Sequence, residues 1–129
     1  MPTLAKILYV EDDLDIQTIA RMALEAVGGF TVEICDGGAQ ALERAPIFAP
    51  DLMLLDVMMP DMDGPTTLQN LRKIAGLEKI PAVFMTAKVM EFEMERYRDM
   101  GVVDVISKPF DPMTLHSRIQ SIWDAFHDG

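Results

Sequence analysis

The sequence is poor in cysteine, in basic residues and in long apolar runs. Cys35 is the single cysteine among 129 residues, so an internal disulfide is excluded and a reducing, cytoplasmic location is expected. No apolar run approaches the roughly 20 residues that a membrane-spanning helix needs, and the start MPTLAK lacks the apolar core of a signal peptide. We therefore expect no contact with a membrane.

The scarcity of basic side chains also limits the possible partners. Lys and Arg number 11 against 21 Asp and Glu, which gives a formal net charge of -10. Because proteins grip nucleic acid through Lys and Arg that neutralise its phosphates, direct contact with nucleic acid is not expected. Solubility accounts for the acidity of the chain.

The chain shows no repeat, linker or low-complexity stretch. Its length predicts one domain, which would bury about two-thirds of the surface that the extended chain exposes. We assign this domain to residues 6–127, with short tails at 1–5 and 128–129.

Short apolar runs alternate with segments whose apolar residues recur at helical spacing. The continuous apolar character of the third and fourth runs indicates strands covered on both faces, as in parallel sheets. The strand candidates are KILYV, TVEICD, LMLL, AVFM and VVDVIS, and the helices are expected at 16–27, 38–45, 66–75, 91–100 and from 111 onward. Strict alternation predicts an α/β fold with five parallel strands and helices on both faces of the sheet.

Four of these runs end in polar residues that a strand does not need for folding. The first run leads into three acids at 11–13, and the others lead into Asp56, Thr86 and Lys108. In an open parallel sheet the carboxyl ends of the strands line one crevice, where ligands bind. Carboxylates, a hydroxyl and an amine would converge there, and this set suits a divalent cation together with a phosphoryl group.

The first strand-to-helix turn decides against a nucleotide. Doubly wound nucleotide-binding proteins have glycines in this turn, which bring backbone N–H groups onto phosphate, whereas this chain has Glu11, Asp12 and Asp13. Three acids there suit Mg²⁺, which binds one or two carboxylates and keeps water and phosphate oxygens as its other ligands. Taken alone, the triplet equally fits a cap on the first helix, a role open to Asp13. The second acidic position at Asp56 favours the metal site.

Asp56 is the candidate nucleophile of this site. A carboxylate at the end of a strongly apolar strand is costly to bury unless it is paired or bound to a metal. Thr86 and Lys108 supply a hydroxyl and a cation that can hold phosphoryl oxygens. The chemistry is then phosphoryl transfer with an aspartyl-phosphate on Asp56.

At these residues the chain resembles the response-regulator receiver domain of two-component signalling. The resemblance covers nearly everything from Lys6 to Phe126 and rests on YVEDD, LLDVMMPDMDG, MTA and KPF in this order and spacing. It implies the flavodoxin-like strand order 2-1-3-4-5. It also implies a phosphoaccepting regulatory domain rather than an enzyme, with its own self-phosphorylation and autodephosphorylation chemistry.

The resemblance further implies a role for each site residue. Asp56 would accept a phosphoryl group from a phosphohistidine on a sensor kinase or phosphotransfer protein. Asp12, Asp56 and the backbone carbonyl of Met58 would ligate Mg²⁺, for which Mn²⁺ could substitute, and Glu11 would act mainly through water.

Residues of the last two strands complete the implied set. Lys108, the Thr86 hydroxyl and the Ala87 N–H would contact phosphoryl oxygens, and the Lys108-Pro109 bond would be cis. Lys88, like Met58, would flank the phosphoryl group and tune its hydrolysis by water. A downstream protein partner, not identifiable from the sequence, and a monomer or weak dimer are expected.

Two features depart from the family pattern. Receivers commonly have Tyr or Phe three residues before the lysine, where the ring moves as the Thr86 loop moves, but this chain has Val105. On the fourth helix Met90, Met94 and Tyr97 share one face, whereas Phe92 points nearly opposite. Either one of these faces is a docking surface or an apolar side chain is exposed without consequence. We expect phosphorylation to change the docking surface around the fourth helix and fifth strand, mainly within 88–100.

Two other functions remain as alternatives. A phosphatase or phosphotransferase with an aspartyl nucleophile, of the haloacid-dehalogenase type, would carry a second Asp two residues after the nucleophile, where this chain has Met58. A phosphate-independent interaction module would not need the polar site residues of a receiver. All five of these are present, namely Glu11, Asp12, Asp56, Thr86 and Lys108.

Overall fold

The computed structural model describes residues 3–128 and contains five strands that alternate with five helices. The strands are β1 Lys6–Val10, β2 Thr31–Cys35, β3 Leu52–Asp56, β4 Ala82–Thr86 and β5 Val102–Ser107. The helices are α1 Leu14–Arg21, α2 Gly38–Phe48, α3 Gly64–Leu71, α4 Glu91–Asp99 and α5 Leu115–Asp128, and α1 continues in a wider π-helical segment, Met22–Val27. Residues 1–2 and 129, which belong to the predicted tails, lie outside the described residues.

All strands are parallel and form one sheet in the order β2-β1-β3-β4-β5. Every residue of β3 and β4 is buried, because helices cover both faces of the sheet at its centre. The predicted α/β fold and its strand order are thereby confirmed. Among residues 3–128 no helix is both long and apolar enough to cross a bilayer.

Two cores lie on opposite faces of the sheet. One is formed against α1, the π-helical segment and α5, and includes Tyr9, Leu54, Met85, Ile106 and Trp123. The other is formed against α2, α3 and α4, and includes Leu8, Leu55, Phe84, Val105 and Tyr97. Because side chains alternate across a strand, β1, β3 and β4 each feed both cores.

Several helix ends differ from the prediction. α2 continues through Pro46 to Phe48, since a proline in the last turn removes a single helical hydrogen bond and the Ala49 N–H still reaches the Ala45 carbonyl at 2.9 Å. α3 ends at Leu71 rather than near Ala75, which is exposed.

The last helix begins later and buries a different side chain than expected. Asp111 accepts from the Met113 N–H at 2.9 Å and leads a turn before α5 begins at Leu115. Phe126 is 41% exposed, whereas Trp123 on the neighbouring face is 4% exposed. Trp123 and Phe126 are three residues apart, which is about one helical turn. The spacing of apolar residues alone therefore does not decide which of the two rings faces the sheet.

Strand β5 contains a bulge at Val103. Ala82 pairs with Val102, but the next residue of β4, Val83, pairs with Asp104, so Val103 is an extra residue. Beyond the bulge, Val105 pairs with Phe84 and Ile106 with Met85. The bulge therefore reverses the face of the sheet to which each later side chain of β5 points.

Arg72, just after α3, ties together three chain segments. Its guanidinium donates to the carbonyls of Leu77 at 2.9 Å, Met100 at 3.3 Å and Gly101 at 3.2 Å. Burial lowers the pKa of this guanidinium. These bonds fix the carboxyl end of α4 to the loop that precedes β4.

Gly64, the first residue of α3, lies against the backbone that follows β3. A Cβ at this position would lie 2.5 Å from the Asp56 carbonyl oxygen and 2.9 Å from the Val57 Cα. Neither backbone atom can move without displacing the end of β3. At Gly37, by contrast, a Cβ would meet nothing within 4 Å.

We predict that Gly64→Ala lowers the free energy of unfolding by about 1–3 kcal/mol because the added methyl overpacks the backbone. Gly37→Ala is the control without overpacking. Because Gly37 is the N-cap of α2, where Gly is preferred to Ala, the substitution should lower this free energy by less than about 1 kcal/mol. Urea unfolding curves measure both values. Equal midpoints for the two variants would contradict the prediction.

Candidate functional site

The strand registers bring the polar strand ends together at one edge of the sheet. Val10 pairs with Leu55, so Glu11 lies beside Asp56, and Asp56 pairs with Met85. Thr86 pairs with Ser107, which places Lys108 at the same edge. The crevice expected at the carboxyl ends of the strands is therefore present.

Lys108 joins the two buried carboxylates of this crevice. Its Nζ lies 3.0 Å from Glu11 Oε1 and 3.3 Å from Asp56 Oδ2. Glu11 is 1% exposed and Asp56 is 3% exposed. One ammonium is thus shared by two carboxylates that are shielded from water.

Burial and charge act on these groups in opposite directions. Burial raises the pKa of Glu11, the hydrogen bond from Lys108 lowers it, and Asp56 raises it again, so that it stays above its ordinary value. Burial alone would lower the pKa of Lys108, but its hydrogen bond with Glu11 and the charges of both acids raise it. Lys108 therefore carries its positive charge at neutral pH.

Glu11, Asp12 and Asp56 form a cluster that suits a divalent cation. One carboxylate oxygen from each residue lies within 4.8 Å of the others. Asp12 is exposed whereas the other two are buried, so the cluster opens to solvent on one side. Three carboxylates exceed the charge of one ammonium, and an all-oxygen set with an open side fits Mg²⁺, which keeps water ligands.

Asp13 has a separate role. Its Oδ1 accepts from the N–H groups of Asp15 at 2.9 Å and Ile16 at 3.1 Å, which makes it the cap of α1. The structure therefore confirms the cap for Asp13, whereas Glu11 and Asp12 belong to the cluster that could hold a metal ion.

The loop after Asp56 turns its backbone toward the carboxylate. The Met58 N–H points at Asp56 Oδ1 with a separation of 3.4 Å, and the Met58 side chain is 75% exposed. The Gly64 N–H closes the loop on the Val57 carbonyl at 3.0 Å. Met58 therefore lies at the rim of the crevice.

Thr86 lies at the same edge but its hydroxyl is engaged elsewhere. It accepts from the Lys88 N–H at 3.2 Å and donates to the Lys88 carbonyl at 3.3 Å. Ala87 and Lys88 are exposed beside it. The Lys108-Pro109 bond is cis, as expected.

Comparison with known proteins agrees with this geometry. The family model described as "Response regulator receiver domain" matches residues 7–120. The chain belongs to this family. It is accordingly a phosphoaccepting signalling switch of two-component systems, and a regulatory domain.

Relatives carry receivers in different settings. Over 117 residues the chain is 35% identical to the alkaline phosphatase synthesis transcriptional regulatory protein PhoP of Bacillus subtilis, covering 91% of this chain and 48% of that protein. Over 86 residues it is 36% identical to the histidine-protein kinase BarA of Escherichia coli, covering 67% of this chain and 9% of the kinase. The chain spans about half the length of the first curated relatives it matches.

A solved structure of similar size also matches. The chemotaxis protein CheY4 of Vibrio cholerae superposes with a TM-score of 0.86 at 27% identity, covering 93% of this chain and 99% of that one.

In this receiver Val105 is a core residue. It is 7% exposed and pairs with Phe84, whose ring meets the Tyr97 ring edge-on at 4.8 Å. Because Tyr97 belongs to α4, Phe84, the strand partner of Val105, connects the sheet to that helix. Phe92, on the opposite face of α4, is 76% exposed, in agreement with the expected split of this helix.

Two residues that support Glu11 were not predicted from the sequence. The Tyr9 hydroxyl donates to Glu11 Oε1 at 3.2 Å, and the Gln17 amide donates to the Glu11 carbonyl at 2.6 Å. Strand alternation is the signal that finds Tyr9, since it lies two residues before Glu11 and shares its face. No comparable pattern points to Gln17.

We predict that Mg²⁺ stabilises this receiver through the acidic cluster. At a Mg²⁺ concentration ten times the dissociation constant, the free energy of unfolding should rise by about 1.4 kcal/mol. Asp12→Asn should remove most of this gain, whereas Asp15→Asn, an equal charge change outside the cluster, should keep it. Thermal unfolding with and without Mg²⁺ measures the gain, and equal gains in both variants would refute the prediction.

Proposed function

We propose that Asp56 is the phosphoacceptor of this receiver. The observation that carries the proposal is its carboxylate, buried at the end of β3, with Oδ2 on the Lys108 ammonium and Oδ1 facing the Met58 N–H. Asp56 is the buried acid of the acceptor loop, whereas Asp61 and Asp63 of the same loop are exposed.

The transfer requires one bond to form and one to break. An oxygen of Asp56 attacks the phosphorus of a phosphohistidine on the kinase or on a phosphotransfer protein. The P–N bond breaks, its electron pair stays on the imidazole nitrogen, and that nitrogen takes up a proton. The product is an aspartyl-phosphate, and attack by water later restores the carboxylate. Small acyl-phosphate donors would react in the same way, which gives the domain its self-phosphorylation chemistry.

Residues of the acidic cluster would hold the metal. Asp12, Asp56 and the Met58 carbonyl would be ligands, and Glu11 would contact the metal through water. When bound, Mg²⁺ supplies positive charge that offsets the charge of the attacking and transferred oxygens. Mn²⁺, which also prefers oxygen ligands, would substitute.

The opposite side of the crevice would bind the transferred group. Lys108 would exchange its contact with Asp56 for a phosphoryl oxygen, and its raised pKa keeps it charged for this task. The Thr86 hydroxyl and the Ala87 N–H would contact other phosphoryl oxygens. Lys88 and the exposed Met58 would flank the group and limit the approach of water.

We predict that wild-type protein, incubated with Mg²⁺ and a small acyl-phosphate donor, gains the mass of one phosphoryl group. Asp56→Asn should gain none, because an amide oxygen is a poor nucleophile. Asp61→Asn is the matched control in the same loop, with a positive φ that Asn tolerates, and it should be phosphorylated like wild type. Intact-mass measurement decides, and an equal gain by Asp56→Asn would transfer the acceptor role elsewhere. No gain in wild type would favour a phosphate-independent module.

The output of the switch is proposed to arise near α4. For its Thr86 hydroxyl to reach a phosphoryl group, the residue must release the Lys88 backbone, which leads into α4. α4 itself is weakly held, because Tyr97 is its single buried residue. The exposed Phe92 would lie on the surface that a downstream protein recognises. The cytoplasmic location, the domain bounds 6–127 and a monomer or weak dimer remain predictions.

We predict that phosphorylation changes backbone amide exchange mainly within residues 88–100. The change should exceed any change in α2, which packs on the same face of the sheet and serves as the internal control. Exchange followed by mass spectrometry, with the donor-treated Asp56→Asn variant as reference, measures it. Unchanged exchange at 88–100 in fully phosphorylated protein would show that the signal leaves by another route.

A further inference from the structure

Tyr9 lies in β1, an internal strand of the sheet, and its side chain reaches the candidate site from the core. Its side chain is fully buried in the core that α1 and α5 cover, and its neighbour in β3 is Leu54. Strand alternation places it on the same face as Glu11, and its hydroxyl donates to Glu11 Oε1 at 3.2 Å. A phenylalanine would fill this core equally well, so packing does not explain the hydroxyl.

The Glu11 carboxylate is held by three donors. Oε1 accepts from the Tyr9 hydroxyl and from Lys108 Nζ at 3.0 Å, and Oε2 accepts from the Asp13 N–H at 3.2 Å. Tyr9 and Lys108 thus share one oxygen. If the hydroxyl were lost, Lys108 would be the sole donor to Oε1 and would be drawn toward Glu11, away from Asp56.

We propose that Tyr9 is a positioning residue for the metal and acceptor site. Its hydroxyl fixes the orientation of the Glu11 carboxylate and keeps Lys108 shared between Glu11 and Asp56. Tyr9 touches neither the metal nor the phosphoryl group and acts through Glu11. The inference rests on the proposed function for its purpose, but its geometry concerns cation binding and is testable without phosphorylation.

The test compares two variants that each remove the phenol hydroxyl of one buried tyrosine. Residues that orient the groups around a metal typically contribute tenfold or more to its affinity. Tyr9→Phe should therefore weaken Mn²⁺ binding by about tenfold. Tyr97→Phe, the same change at the other tyrosine of the chain and on α4, should leave it unchanged. Water-proton relaxation measures Mn²⁺ affinity, and circular dichroism checks that both variants fold.

A double-mutant cycle separates positioning from a general loss of stability. If Tyr9 acts through the charge of Glu11, Tyr9→Phe should have little further effect in the Glu11→Gln background. An equal fold-loss in both backgrounds would overturn the proposal, as would unchanged affinity in Tyr9→Phe or no measurable Mn²⁺ binding by wild type.

A second measurement does not depend on the folding of Tyr9→Phe. In Tyr97→Phe, Tyr9 is the single tyrosine, and its ring vibrations in the Raman spectrum report whether the hydroxyl donates a hydrogen bond. If Glu11→Gln weakens the Raman signal of a hydrogen bond donated by the Tyr9 hydroxyl, the proposal is supported. If Glu11→Gln leaves that signal unchanged, the proposal is refuted. If wild type binds Mn²⁺ through this network but accepts no phosphoryl group, the proposed function fails while the role of Tyr9 stands.

Discussion

The Lys108 ammonium shared by Glu11 and Asp56 is the interaction on which the rest of the site depends. Parallel pairing forces the ends of β1 and β3 side by side, and both end in an acid that the fold buries. Two such carboxylates repel each other, and leaving either without a partner would cost about 3–5 kcal/mol. The ion pairs at 3.0 and 3.3 Å offset that cost but do not neutralise the cluster. The two acids can therefore be buried without unfolding the protein, and the cluster still carries an excess of negative charge that attracts a cation.

This balance explains how a local chemical event can reach the surface. Under the proposed function, a phosphoryl group on Asp56 would compete for the same ammonium and for the Thr86 hydroxyl, which in this structure bonds the Lys88 backbone. Lys88 leads into α4, a helix whose carboxyl end is fixed by the Arg72 bonds to Met100 and Gly101. Because the carboxyl end of α4 is held, a movement of the Lys88 segment would displace mainly the amino end of this helix. Since Val105 stands where receivers commonly have an aromatic residue, we propose this backbone segment as the route from the crevice to the exposed face of α4.

The fold and the crevice could be predicted from the sequence because they follow from simple periodicities. LMLL and AVFM are continuous apolar runs, and the polar residues after them must meet if the strands are parallel. The hydroxyl of Tyr9 was missed because an aromatic residue in a strand is ordinarily core, and its ring is indeed core. Helix ends were also misplaced, as at Leu71 and Leu115, since local signals for termination are weak beside the packing that decides them. What periodicity cannot supply is the partner of each polar atom, which depends on registers between distant strands.

The bulge at Val103 shows how far the site depends on such a register. Glu11 and Asp56 continue the face of Tyr9 and Leu54, which is the α1 and α5 side of the sheet. In a regular β5, Val102, Asp104, Ile106 and Lys108 would share one face, and Val102 lies on the opposite side, in the core under α4. The extra residue reverses the alternation, so that Ile106 and then Lys108 point to the face of the two acids. A one-residue irregularity at the edge of the sheet therefore directs the ammonium to the carboxylates. If the same residues of β5 paired with β4 without the bulge, Lys108 would point to the opposite side of the sheet.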